Sequence, residues 1–219
     1  MGTEMRKLKI LWRMLKHRKA VSSLLSSHLS LLEGDGVADA LGGLTAEEEE
    51  GVTEALRSAF GDGPSGSGFA GATVIEFGTL FGLTTQLLAE TAPSGTTILT
   101  VDNFCWNPFG LPPDLHRQFT EKVLRPYLNT GRVKLIGCDS AAFRERYDGA
   151  APALVFLDAD HGYAAVRDEI VWAKEKNAVV ISGHDYGNPL FGVTRAVDEA
   201  FPEGVKHKGM VWWKPTAER

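Results

Sequence analysis

The stretch Thr73–Thr85, reading TVIEFGTLFGLTT, constrains the fold more than any other part of this 219-residue chain. It opens as a short β-branched apolar run from Thr73 to Phe77, the pattern of a buried strand. Gly78 and Gly82 then break the run, and Leu83, Leu87 and Leu88 follow at helical spacing. Strand, glycine turn and helix make half of a βαβ unit. In such units a ligand sits outside the carboxyl end of the strand, at the helix N-terminus. Glycine suits that turn because a Cβ would block close approach of the backbone.

The ligand is narrowed by what the turn lacks. The dinucleotide fingerprint needs a second glycine where Leu80 stands, which disfavours a nicotinamide-dependent oxidoreductase. The phosphate-cradling loop needs Gly-Lys-Ser/Thr, and Gly82 is followed by Leu83. What remains is an acid ahead of two glycines, Glu76-x-Gly78-x-x-x-Gly82. A carboxylate at a strand end suits a ligand carrying an ammonium or hydroxyl groups rather than a phosphate. Here the sequence resembles the class I S-adenosylmethionine (SAM) dependent methyltransferases. The resemblance implies that Glu76, Gly78 and Gly82 line the methionine end of SAM. On the motif alone, a generic strand-to-helix turn of any α/β protein is the plainer alternative.

Later segments repeat the strand-then-polar pattern. Thr96–Val101 reads as a second strand ending in Asp102, about one βα unit after Gly78. An acid in that position commonly accepts hydrogen bonds from ribose hydroxyls; the alternative is a turn-starting aspartate before Asn103. Asn103–Pro113 is rich in aromatics and proline and reads as a lid, an acceptor wall or a cover for the core. Leu115–Tyr127 reads as helix, and Val133–Ile136 as a third strand followed by Cys138, Asp139 and Ser140. The resemblance places Asp139 near the adenine amino group, whereas the local pattern makes it a helix cap.

The densest chemistry follows. Ala153–Leu157 reads as a fourth strand ending in Asp158-Ala159-Asp160-His161, and Ala178–Ser182 as a fifth ending in Gly183-His184-Asp185-Tyr186. Ends of adjacent parallel strands lie roughly 5 Å apart, so both clusters converge on one mouth. Asp158, His184 and Asp185 offer oxygen and nitrogen ligands to one divalent cation, magnesium or, given the histidine, manganese or iron. The motifs resemble those of catechol and macrolide-sugar O-methyltransferases, over about residues 72–214. In those enzymes a carboxylate ending strand four and a residue pair ending strand five bind magnesium, which implies Asp158 with His184 and Asp185. His184 departs from them, standing where they have an oxygen ligand. A histidine three residues after the first metal carboxylate resembles their general base, which implies His161 together with Asp158 as catalytic residues. A lone histidine at a strand end reads more plainly as one satisfied by backbone; two beside three aspartates favour a site.

The remainder of the chain bounds the answer. Residues 1–33 form a basic helical extension in which Arg6, Lys7, Lys9, Arg13, Lys16, Arg18 and Lys19 meet no acid until Glu33, once past Glu4. It reads as a helix packed on the domain or on a homodimer twin, as a membrane-surface helix, or as an organelle-targeting presequence. Residues 34–68 hold a helix with a capping box from Thr45 to Glu48, then a Gly/Ser-rich linker. Residues 69–219 read as the main domain, which the resemblance implies to be SAM-binding. A net charge of -5 argues against a nucleic-acid partner. Cys105 and Cys138 give no disulfide framework, which fits a reducing compartment such as the cytoplasm.

The expected fold is α/β, a doubly wound, mostly parallel, Rossmann-like sheet of seven strands; by resemblance its order is 3-2-1-4-5-7-6. Val205–Lys214 closes it as a hairpin, with Trp212 and Trp213 on opposite faces. The expected function is methyl transfer from SAM to a hydroxyl of a small-molecule acceptor, with divalent-metal assistance. The alternatives are a non-enzymatic module binding through the basic helix, and a metal-independent methyltransferase acting on nitrogen or on protein.

Overall fold

The computed structural model describes residues 43–61 and 71–216. The basic extension, with its packing, membrane and targeting readings, lies outside the described residues, as does most of the Gly/Ser linker.

Five strands run parallel: β1 (Thr73–Phe77), β2 (Thr97–Val101), β3 (Val133–Ile136), β4 (Leu154–Leu157) and β5 (Val180–Gly183). The terminal hairpin, β6 (Lys206–Lys208) and β7 (Val211–Pro215), joins antiparallel to β5. The strand order is β3-β2-β1-β4-β5-β7-β6, as expected from the resemblance. The direction of winding reverses at β1, so a crevice opens between the ends of β1 and β4, where ligands bind in open α/β sheets.

Alternation of side chains divides the core between the two faces of the sheet. Val74, Ile98, Leu154, Phe156, Val180 and Trp213 pack on one face with helix α1 (Ala46–Phe60) and helix α2 (Leu83–Thr91). Ile75, Phe77, Val155, Leu157, Ile181 and Trp212 pack on the other with α5 (Ser140–Arg146), α6 (Tyr163–Glu175) and α7 (Val193–Ala200). Both tryptophans of the hairpin are therefore core residues, on opposite faces. Burying each large apolar side chain contributes roughly 2 kcal/mol. The span 115–127, expected as one helix, is two: α3 (Pro113–Val123) and α4 (Arg125–Asn129). Pro126 accounts for the break, since it cannot donate to a carbonyl one turn back.

Helix α1 carries the expected capping box. Thr45 Oγ1 accepts from Glu48 N at 3.3 Å, and Glu48 Oε2 accepts from Thr45 N at 2.9 Å. Its inner face, Val52, Ala55, Leu56 and Ala59, joins the sheet core. Gly51 lets the helix approach β7 so closely that a Cβ there would lie 3.1 Å from Val211.

Candidate active site

The glycine turn takes a strained path. Gly78 and Gly82 have φ of +92° and +88°, and Leu80, between them, has φ of +46°. A left-handed conformation costs a non-glycine residue roughly 1–2 kcal/mol, so something must hold it. Three groups do. Asp102 Oδ2 accepts from Thr79 N at 3.0 Å and Leu80 N at 2.9 Å. The Leu80 carbonyl accepts from Thr120 Oγ1 at 2.6 Å and from His116 Nε2 at 2.9 Å. His116 and Thr120 lie one turn apart on α3, fully buried. Sequence reading passed over both, because their partner lies about 40 residues away.

Asp102 thus braces the turn, and its other oxygen accepts from Phe104 N at 2.6 Å. A carboxylate has about four acceptor positions, so capacity remains for a diol. Gly78 answers to packing as well as to any ligand: a Cβ there would lie 2.0 Å from the Asp158 carbonyl oxygen. Gly82 abuts Leu124, 2.9 Å from a notional Cβ. Asp139 caps α5, accepting from Ala142 N at 2.7 Å, and its exposed carboxylate stays at the mouth beyond β3.

Glu76 lies beneath the turn, fully buried. Its Oε2 accepts from Thr85 Oγ1 and Thr100 Oγ1, each at 2.5 Å, while Oε1 has no partner among the described residues. Burial outweighs the two hydroxyl donors and pushes its pKa up to about 8. The turn and its orphaned carboxylate oxygen fit a ligand that brings an ammonium group, as the methionine end of SAM does.

Across the crevice, the second cluster forms as expected. One ligand atom each from Asp158, His184 and Asp185 lies within 4.8 Å of the others. Asp158 ends β4, while His184 and Asp185 follow β5, whose register with β4 pairs Leu157 with Gly183. Asp185 is held at φ +62°, and its Oδ1 accepts from Asn188 Nδ2 at 3.0 Å. His161 Nδ1 lies 3.1 Å from Asp185 Oδ2, and its ring stacks on Phe191 at 4.6 Å. The loop that carries Phe191 is tied to this cluster by Gly192 N donating to the His161 carbonyl. Beside it a cavity of about 480 Å³ is lined by residues of the 187–199 segment, Phe191 and Arg195 among them. The donor set fits a divalent cation.

The charges in this cluster are mutually dependent. Burial raises the Asp158 pKa to about 7, against the pull of His184. Burial alone would lower His184, but the carboxylates of Asp185, Asp158 and Glu48 around it raise it to about 9. Glu48 is the residue that sequence reading missed here. It reaches from α1 to set Oε1 3.2 Å from His184 Nε2, 136 residues away.

A family described as a methyltransferase domain matches residues 75–186, which runs from β1 to the Asp185 cluster and spans half of the chain. The chain belongs to that methyltransferase family. With the observed strand order, it is a SAM-dependent methyltransferase of class I. No curated protein matches this methyltransferase in sequence. Solved structures match it in fold. TomG from Streptomyces achromogenes, an O-methyltransferase involved in tomaymycin synthesis and solved with SAM, is 16% identical over 90% of either chain, with a TM-score of 0.55. CalS11, a TDP-rhamnose 3'-O-methyltransferase of calicheamicin biosynthesis, is 15% identical over 100% of this chain and 96% of its own, with a TM-score of 0.55. The cofactor-bound Rv0187 protein from MTB is 20% identical over 91% of this chain and 97% of its own, with a TM-score of 0.54. Among the described residues no helix is long and apolar enough to cross a membrane.

Proposed function

We propose that this methyltransferase acts on a hydroxyl of a small-molecule acceptor, with a divalent cation held by Asp158, His184 and Asp185 and with His161 as general base. The observation that carries the reading is the cluster itself: three ligand atoms within 4.8 Å, with His161 Nδ1 3.1 Å from one of the same carboxylates. With Nδ1 facing the Asp185 carboxylate, the ring proton is favoured on that side and the Nε2 lone pair of His161 is left to accept a proton. A histidine is suited to that task near neutral pH. SAM supplies an electrophilic methyl group and leaves as a neutral thioether, so aligning the reactants accounts for much of the rate. A divalent cation supplies the electrostatic field that lowers the pKa of a nearby hydroxyl.

On the cofactor side, the Gly78–Gly82 turn over Glu76 would hold the methionine end, Asp102 the ribose and Asp139 the adenine. The acceptor named for CalS11, TDP-rhamnose, and the involvement of TomG in tomaymycin synthesis support a small-molecule acceptor here. A second reading, metal-independent transfer, is favoured by one observation. The His184 ring already sits among Glu48, Asp185 and Asp158, at 3.2, 3.5 and 3.9 Å, where an imidazolium would balance the carboxylates unaided.

Calorimetric titration with S-adenosylhomocysteine tests the cofactor half, on wild type and on Asp102→Ala. Micromolar binding that Asp102→Ala abolishes is the expected result, and no binding under any condition would sink the cofactor assignments. For the acceptor half, His161→Ala should lower the methylation rate of a hydroxyl acceptor about 10²–10⁴-fold, without loss of S-adenosylhomocysteine binding. Transfer only to amines would overturn the oxygen assignment.

A further inference from the structure

Glu48 lies on α1, ahead of the segment that the methyltransferase family matches, yet it is part of the cluster. Its side chain is buried and all its bonding directions are spoken for. Oε2 accepts from Thr45 N and Thr45 Oγ1, both at 2.9 Å. Oε1 accepts from His184 Nε2 and from Met210 N, both at 3.2 Å. A capping box needs only one of these oxygens. The other crosses from the helix to the end of β5, and the β6–β7 turn holds it there through Met210.

We propose that Glu48 is a positioning residue for His184. By accepting the Nε2–H, it fixes the tautomer that leaves the Nδ1 lone pair facing Asp158 and Asp185. The ring nitrogens fit this division of labour. Nε2 is within hydrogen-bond reach of Glu48, whereas Nδ1 stands 3.5 Å from Asp185 Oδ2 and 3.9 Å from Asp158 Oδ1, too far for a good bond to either. A carboxylate behind a metal-binding histidine orients the ring and strengthens the nitrogen as a donor. The consequence is selectivity. Magnesium favours oxygen ligands and dehydrates reluctantly, whereas an imidazole nitrogen favours first-row transition ions. Glu48 therefore tilts this site towards ions such as Co²⁺ and away from Mg²⁺. The inference rests on the cation site proposed above.

The test is calorimetric binding of Co²⁺ and of Mg²⁺ to the full chain, with the Co²⁺ absorption band as a second readout. The proteins are wild type, Asp158→Ala, Glu48→Ala, Glu48→Gln and Thr45→Ala. Wild type is expected to bind Co²⁺ more tightly than Mg²⁺, and Asp158→Ala to lose the site. Glu48→Ala should weaken Co²⁺ about 10–100-fold, the usual loss for such a partner, while changing Mg²⁺ much less. Glu48→Gln, which keeps an acceptor oxygen for the imidazole N–H, should recover part of that loss. Thr45→Ala breaks the cap but leaves Glu48 in place, and should bind Co²⁺ like wild type. If Thr45→Ala copies Glu48→Ala, the effect is one of helix stability and the proposal falls. It also falls if Glu48→Ala leaves the Co²⁺ to Mg²⁺ ratio unchanged. Should Glu48→Ala not fold, an unchanged ratio in Glu48→Gln overturns it. Absence of any binding to wild type is a different failure: it removes the cation site itself, and the proposal with it.

Discussion

Glu76 shows how one buried carboxylate ties the turn to the pH dependence of the whole chain. Its pKa of about 8 lies above the 4.5 of an exposed glutamate because burial disfavours the charge. Between those values the folded chain binds a proton that the unfolded chain has released. Stability contributed by the neutral acid is full below the unfolded pKa and is lost as pH rises towards 8, at about 1.4 kcal/mol per pH unit. Urea midpoints should therefore fall between pH 5 and pH 8, and Glu76→Gln should flatten that slope. A variant with an undiminished slope would place the titration elsewhere, in Asp158 or in Glu169, a buried acid on α6 that burial pushes up to about 7. Glu76 itself was legible as the acid ending a strand. Its partners Thr85 and Thr100 were not, because they lie 9 and 24 residues away and meet it only once α2 and β2 are packed. The pair Thr45 and Glu48 shows the opposite failure. The local capping pattern explained Glu48 so completely that nothing in the sequence pointed to His184.

At the scale of elements, the glycine turn is held by a helix to which sequence patterning gave no role at the site. Thr120 and His116 both donate to the Leu80 carbonyl and so stabilise the left-handed residue standing where a dinucleotide site has glycine. Thr120→Val keeps the shape and removes one donor. It should lower the unfolding free energy by about 1 kcal/mol and weaken S-adenosylhomocysteine binding, since the turn would sample other conformations. An unchanged urea midpoint and affinity would mean that the bond from His116 suffices. The five parallel strands were easy to read, because each is a short, mostly apolar run followed by a polar or glycine residue. Helix boundaries were less so: Pro126 splits 113–129 in two, where the apolar spacing alone runs on.

Under the proposed assignments, the whole molecule separates its two tasks along the sheet. The turn, Asp102 and Asp139 stand at the ends of β1, β2 and β3, on one side of the point where the winding reverses. Asp158, His184, Asp185 and His161 stand beyond β4 and β5, on the other. Glu48 adds the far layer to the second group, through α1. The halves meet where Gly78 presses on the Asp158 backbone, and under the proposed assignments the methyl group would be transferred between them. Such an arrangement should be separable by ligand removal. Chelation should suppress methylation of a hydroxyl acceptor while largely retaining S-adenosylhomocysteine binding, because none of the groups assigned to the cofactor is among the cation's proposed ligands. Asp102→Ala should do the reverse, losing cofactor binding and keeping Co²⁺. Chelator-insensitive turnover would assign the β4–β5 cluster to the metal-independent reading, with His184 as the resident cation among its carboxylates. The cofactor half would be untouched by that outcome, since none of its groups lies in the β4–β5 cluster.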